Sequence, residues 1–145
     1  MTLLELIIAC AILLILSSAA LPIAKYAVIR QKEAELRRDL REMKDAIDRY
    51  KDAADRNQIR VEIGSEGYPP DLETLVKGVQ LGASSDRKIR FLRKIPVDPM
   101  TGRAEWGLRA VQDDPDSTSW GGKNVFDVYS MSTGTALDGT KYSDW

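Results

Sequence analysis

The sequence predicts an α+β protein in which a long N-terminal helix packs against a small antiparallel β-sheet head with an acidic C-terminal loop. Residues 1–24 are uncharged apart from Glu5, and residues 25–56 continue as helix-forming residues without Gly or Pro. Residues 57–145 change to short alternating segments separated by Gly and Pro. The domain prediction is therefore a helix over 1–56, with 1–24 as a transmembrane segment and 25–56 amphipathic, and a globular head over 57–145.

The first segment has the length of a membrane-spanning helix. Between Leu6 and Ala24 the only ionisable side chain is the Cys10 thiol. About twenty residues at ~1.5 Å rise cover the ~30 Å hydrocarbon core of a bilayer. A cleaved secretory signal would carry basic residues before its apolar stretch, whereas the first Lys or Arg here is Lys25. The sequence thus favours a retained helix in which Cys10 is a small buried apolar residue.

Pro22 lies near the end of this apolar run. A proline inside a helix removes one backbone hydrogen bond and clashes with the carbonyl four residues earlier, which predicts a kink. The hydroxyls of Ser17 and Ser18, one turn before, are expected to satisfy the freed backbone groups. The alternative is that Pro22 ends the helix, but the helix formers that follow favour the kink.

The second segment carries a narrow apolar stripe on one helical face. Its members are Leu36, Leu40, Met43, Ile47, Tyr50 and Ala54. Oppositely charged residues at four-residue spacing are expected to pair on the other faces, namely Glu33 with Arg37, Arg38 with Glu42, Asp45 with Arg49, and Asp52 with Arg56. The stripe could form a coiled coil. Fewer than three heptads is short for one, so packing against the head is favoured.

The head is predicted to contain three strands and one short helix, which together enclose too little core without the stripe. The predicted strands are 59–63, 104–111 and 124–131, the last two antiparallel. Asp71 is the expected N-cap of the helix and Gly78 its end. The segment 88–97 stays open between a helical turn and an extended stretch, and 132–145 is expected to be a loop.

Composition argues against an enzyme and against nucleic-acid binding. The chain has no histidine, which removes the commonest general base and metal ligand, and one cysteine, which excludes an intrachain disulfide. No nucleophile motif is visible and no sustained basic patch appears. The acidic loops offer oxygen ligands that would suit calcium, but the spacing from Asp138 to Asp144 is not that of an EF-hand. On spacing alone, turn formation and solvation explain these aspartates better.

The N-terminus resembles that of a known family. Thr2-Leu3-Leu4-Glu5-Leu6 followed by an apolar helix is similar to the mature N-terminus of type IV pilins and type II secretion pseudopilins. The resemblance implies a short basic leader, removed by a prepilin peptidase that methylates the new terminal amine. The sequence begins at the position of the mature residue, where Met1 replaces the more usual Phe. Met1 is thus the expected processing and methylation site.

Motifs in the head resemble the major pseudopilin of type II secretion. They are Gly67-Tyr68-Pro69, the segment 91–102 with its Pro-x-Asp-Pro, and Phe126-Asp127-Val128-Tyr129-Ser130. Type IV pilins usually close a C-terminal loop with a disulfide, which this chain cannot form. The resemblance also implies calcium in the C-terminal loop, for which Asp138, Asp144 and Ser132 are the candidate ligands.

The function implied by this resemblance is that of a structural subunit. The chain would wait in the inner membrane and then polymerise with itself, through its N-terminal helix, into a periplasmic or extracellular filament. That filament would support protein secretion across the outer membrane, with minor pseudopilins and a secretion assembly platform as further partners. The alternatives are a type IV pilus major pilin for adhesion or motility, and a membrane-anchored binding protein that does not polymerise.

Glu5 is the expected assembly residue. A charge within the bilayer costs on the order of 2.5–3.5 kcal/mol or more, so its carboxylate needs a cationic partner. The nearest cation is an α-amino group, which keeps its charge when methylated. Glu5 could meet the amino group of its own chain, four residues away, or that of a neighbour, where an apolar setting strengthens the attraction. The sequence leaves both open.

Overall fold

A computed structural model describes all residues from Met1 to Trp145. Helix α1 runs without interruption over Leu3–Asp55, 53 residues, and is therefore roughly 80 Å long. Pro22 lies inside this helix. The alternative that Pro22 ends the helix is wrong, because the residues after it continue to form backbone hydrogen bonds as far as Asp55. The α+β class follows from α1 and the small antiparallel sheets of the head.

The two serine hydroxyls before Pro22 bond to carbonyls other than the one that proline frees. Ser17 Oγ donates to the Leu13 carbonyl at 2.7 Å, and Ser18 Oγ donates to the Ile15 carbonyl at 2.7 Å. Pro22 instead leaves the carbonyl of Ser18 without its usual donor. The expectation that these hydroxyls compensate for Pro22 is therefore wrong. Back-bonding of this kind bends helices, and the kink itself stays a prediction.

The second half of α1 forms one wall of the core of the head. Its buried residues are Leu36, Asp39, Leu40, Met43, Ala46, Ile47, Tyr50 and Ala53. All of them except Asp39 join Leu75, Trp106 and Val128 of the head in one hydrophobic cluster. The prediction that the stripe packs against the head is thus confirmed. Ala54, a predicted member of the stripe, lies only at the edge of this cluster. Ala46 and Ala53 are the buried alanines of this face instead.

The remaining elements are short. Helix α2 spans Leu72–Lys77 and begins at Asp71, whose Oδ1 accepts from the Thr74 amide at 2.7 Å. Gly78, with φ +86°, ends it, as predicted. The strands are β1 (Val79–Gln80), β2 (Lys88–Ile89), β3 (Gly107–Arg109) and β4 (Asp127–Tyr129), and a 3-10 turn spans Tyr142–Asp144. β1 pairs with β2 and β3 pairs with β4, both antiparallel.

The sheet is smaller than the sequence predicts. The antiparallel pairing of 104–111 with 124–131 is confirmed, over three residues of each. The predicted strand 59–63 is wrong, since only Ile59 forms a bridge, with Leu81. A turn replaces it, because the Ser65 amide and hydroxyl both donate to the Glu62 carbonyl, at 3.2 and 2.8 Å. The open segment 88–97 is a two-residue strand followed by irregular chain.

Two of the four ion pairs expected along α1 are replaced by contacts with the head. Of the four, only Arg56 with Asp52 forms, at 3.1 Å. Glu33 Oε1 instead accepts from the Tyr142 hydroxyl at 2.9 Å. Arg37 lies 3.7 Å from Asp138, and Arg49 donates to the Phe91 carbonyl at 2.8 Å. Four-residue spacing alone is worth only a few tenths of a kcal/mol, so partners supplied by tertiary structure replace it.

Asp39 gives the fold a pH dependence of defined sign. It is buried within the core face of α1, and burial raises the pKa of its carboxyl, opposed by the Arg38 guanidinium 3.8 Å away. Because the folded chain binds this proton more tightly than the unfolded chain, stability falls as pH rises from 3.8 through the folded pKa. Asp39→Asn should therefore raise the melting temperature at pH 7, with the gain vanishing below pH 3.8. Circular dichroism melts in detergent micelles measure it, and a gain that is independent of pH contradicts it.

Candidate functional site

The N-terminal half of α1 is an exposed apolar surface. The large apolar side chains from Leu3 to Leu16 are between 50% and 75% exposed. An 18-residue window of α1 has a mean hydropathy of 2.7, and none of it is buried. This segment is long and apolar enough to anchor the chain in a membrane. Monomeric soluble proteins rarely expose so large a patch, so the surface requires a lipid or protein partner.

Glu5 takes part in a capping box at the start of this surface. Its Oε2 accepts from the Thr2 amide at 2.8 Å, while Thr2 Oγ1 accepts from the Glu5 amide at 3.2 Å. The two residues thus satisfy amides that the first turn of a helix leaves without partners. The sequence analysis missed this role, although Thr-x-x-Glu ahead of an apolar run is its signature.

The Glu5 carboxylate has no cationic partner within the chain. None of the salt bridges in the structure involves Glu5 or the Met1 amino group. No hydrogen bond within the chain reaches Oε1 of Glu5, since the cap uses Oε2 alone. The single chain therefore holds one carboxylate oxygen in a fixed place, at the tip of an apolar helix, with room for a donor from another molecule.

The predicted calcium ligand Asp138 is already hydrogen bonded. Its Oδ1 accepts from the Thr140 hydroxyl at 2.6 Å and from the Thr140 amide at 3.0 Å, and Oδ2 lies 3.7 Å from the Arg37 guanidinium. The Thr140 bonds, with the Arg37 charge, hold the pKa of Asp138 below its ordinary value. Ser132 Oγ accepts from the Gly134 amide at 3.2 Å. These contacts are those of a self-contained turn.

Asp144 lies in a different depression from Asp138, although both border Trp145. Asp116 and Asp127 share the depression with Asp144. Asp127 is compensated there by Lys44 at 3.2 Å and Arg109 at 3.5 Å. No group of three or more acidic or cysteine side chains is arranged to hold a metal ion. Calcium binding stays a prediction, and no step below depends on it.

A basic groove lies where the C-terminus folds back onto α1. It has a volume of about 440 Å³ and is lined by Arg37, Leu40, Arg41, Lys44, Asp138, Thr140 and Trp145. The Arg37 guanidinium stacks on the Trp145 ring, 3.9 Å from its centre, and Lys44 Nζ donates to the Trp145 carbonyl at 3.4 Å. The sequence analysis missed this groove, because it depends on contacts between residues about a hundred positions apart.

An acidic depression lies beside this groove on the same helix. It is lined by Glu42, Asp45, Asp48 and Arg49. The three carboxylates are exposed, and none forms a salt bridge. The outer side of α1 therefore presents a cationic and an acidic row within one segment of the head.

Comparison with known proteins gives no relative for this chain. No protein-family model, curated protein or solved structure matches it. The geometry of α1 and its charged residues is therefore the basis for the function, together with the motif resemblance of the N-terminus and head.

Proposed function

We propose that the chain is a structural subunit that polymerises through the apolar half of α1 into a type IV pilin-like filament, of the type II secretion pseudopilus kind. Before assembly it is held in the inner membrane by the same half of the helix. The filament supports protein secretion across the outer membrane, and the heads lie on its outside. Prepilin peptidase, minor pseudopilins and an assembly platform are the partners that the resemblance adds.

The main support is a carboxylate without a cationic partner on an exposed apolar helix. A membrane anchor needs only the apolar surface, and a charge within that surface is unfavourable in a bilayer. In a filament the free oxygen of Glu5 meets the terminal amine of a neighbouring Met1. A subunit out of register leaves both charges unpaired in an apolar setting, so the pair selects the correct position for each added subunit.

The alternatives differ from this proposal in what they require of Glu5 and of the head. A membrane-anchored binding protein that does not polymerise gives a monomer in detergent, and its anchoring is indifferent to Glu5. A type IV pilus major pilin polymerises equally, but usually closes a C-terminal loop with a disulfide. The single cysteine of this chain lies at position 10, within the apolar half, and is free. The Tyr-Pro, Pro-x-Asp-Pro and Phe-Asp-x-Tyr-Ser motifs of the head favour the pseudopilus.

Deletion and overproduction of the gene in the source bacterium test the proposal. Deleting the gene should abolish secretion of an outer-membrane-crossing protein, and overproducing the chain should give surface filaments visible by electron microscopy. Adhesion and twitching motility serve as the matched readouts for a pilus. Loss of motility with intact secretion favours the pilin alternative, and a chain that stays monomeric in the membrane contradicts polymerisation altogether.

A further inference from the structure

Helix α1 carries two rows of opposite charge on its exposed side. The cationic row consists of Arg37, Arg41 and Lys44. The acidic row consists of Glu42, Asp45 and Asp48. Each acidic residue follows a cationic residue by four or five positions. The two rows therefore have nearly the same spacing along the helix, and a displacement of four residues aligns two of their three members.

The acidic row and Arg41 remain available to another molecule, whereas Arg37 and Lys44 already form ion pairs with the head. No carboxylate of the acidic row takes part in a salt bridge, and Arg41 is exposed without a hydrogen bond or an ion-pair partner. Arg41 and Asp45 have the spacing of an intrahelical pair, but with the cation on the N-terminal side. That order is the less favourable one, because it opposes the helix dipole.

We propose that Arg41, the free member of the cationic row, docks against the acidic row of a second copy of this chain, and that this contact sets the axial register of neighbouring subunits. The inference rests on the proposed function, since it concerns two parallel copies in one filament. A copy displaced by four residues toward the C-terminal end places its Arg41 level with Asp45 of its neighbour. The corresponding shift along the helix axis is about 6 Å.

The same displacement also brings Met1 level with Glu5. Four residues separate these positions, and again the acid lies on the C-terminal side of the cation. One shift of about 6 Å therefore aligns charge pairs at two places on α1 that lie roughly 60 Å apart. Two pairs that demand the same shift in the same direction indicate a second copy rather than an unrelated partner.

Lipid and nucleic acid fit the basic row less well. Arg41 lies seventeen residues beyond Ala24, so it stands roughly 25 Å from the hydrocarbon edge if the apolar half spans the bilayer. The headgroup region extends only about 5–8 Å from that edge. The acidic row beside the groove would repel the phosphates of a nucleic acid. A complementary protein surface is the occupant that these distances and charges favour.

A mixing experiment tests the contact between copies. Arg41→Glu and Asp45→Arg are each made in the full chain, and filaments are counted by electron microscopy after detergent removal. Each variant alone should give about five-fold fewer filaments than the wild type, because it sets like charges against each other. Mixed in equal amounts, the two should recover wild-type yield, since Arg41 of one then meets Asp45 of the other and the two reversed side chains meet in turn.

The controls separate this contact from folding and from polymerisation as such. Both variants should melt within 2 °C of the wild type in detergent, a range of about 0.5 kcal/mol for exposed positions without partners. Raising the salt to about 1 M should remove the difference between variants and wild type. If the single variants form filaments as well as the wild type does, or if their mixture does not recover the wild-type yield, the register contact is overturned. The proposed function is not affected by either result. A wild type without filaments would instead overturn the proposed function.

Discussion

Glu5→Gln is expected to lower the yield of filaments at least ten-fold while leaving membrane insertion intact. The glutamine keeps the hydrogen bond that its side chain accepts from the Thr2 amide, because Gln replaces Glu in a capping box. It removes only the negative charge, which the proposed contact with a neighbouring Met1 requires. A ten-fold loss corresponds to about 1.4 kcal/mol, and a charge pair in an apolar setting contributes at least that much. The sedimentable fraction and electron microscopy measure the yield, and carbonate extraction measures insertion.

Two further substitutions separate the capping role of the first turn of α1 from the role of its charge. Thr2→Ala removes the hydroxyl that caps the Glu5 amide, at a cost of about 0.5–2 kcal/mol in helix stability, but keeps the carboxylate. It should retain filaments. Glu5→Leu removes both cap and charge and should behave like Glu5→Gln. Filaments at wild-type yield from Glu5→Gln would contradict the assembly role of the charge. Loss of filaments in Thr2→Ala while Glu5→Gln still forms them would contradict it too.

Ile47→Ala is expected to lower the free energy of unfolding of the head by about 2–5 kcal/mol. Ile47 is fully buried in the cluster that joins α1 to the head, and the short strands enclose no core without it. Urea titration in detergent micelles measures the change. Tryptophan fluorescence, to which the buried Trp106 contributes together with Trp120 and Trp145, reports the opening of the core.

Arg30→Ala is the matched control for that substitution. Arg30 lies on the same helix, is exposed and makes no contact with the head, so its removal should change the free energy by less than about 0.5 kcal/mol. A loss for Ile47→Ala no larger than for Arg30→Ala would contradict the role of α1 as a wall of the core. The head would then fold without the helix.

The parts of the fold that the sequence predicts are those set by periodicity. The stripe from Leu36 to Tyr50 indicates both the helix and its packing against the head, because a narrow apolar face on a charged helix needs a cover. The strand predicted at 59–63 does not form. An alternating pattern takes no account of Ser65, whose hydroxyl closes a turn at this point of the chain instead. The ion pairs along α1 fail for a related reason, since Arg37 and Arg49 find partners in the head.

The candidate site divides in the same way. Composition alone locates the apolar half and its one carboxylate, since a membrane-length run tolerates few charges. The cap that holds the Glu5 carboxylate is local and is readable from Thr2 and Glu5. The groove beside Trp145 is not readable, because it forms only when the C-terminus lies against α1. The aspartates at 138 and 144 are close in sequence but line different depressions, which spacing cannot reveal.

The most direct test of polymerisation through α1 is a helical reconstruction of the filament by cryo-electron microscopy. The account predicts the apolar halves of α1 packed at the centre with the heads outside. It also places a Glu5 carboxylate oxygen within about 3 Å of the Met1 nitrogen of a neighbouring subunit. Filaments built through contacts between heads, with the apolar halves on the outside or Glu5 facing no terminal amine, would contradict it.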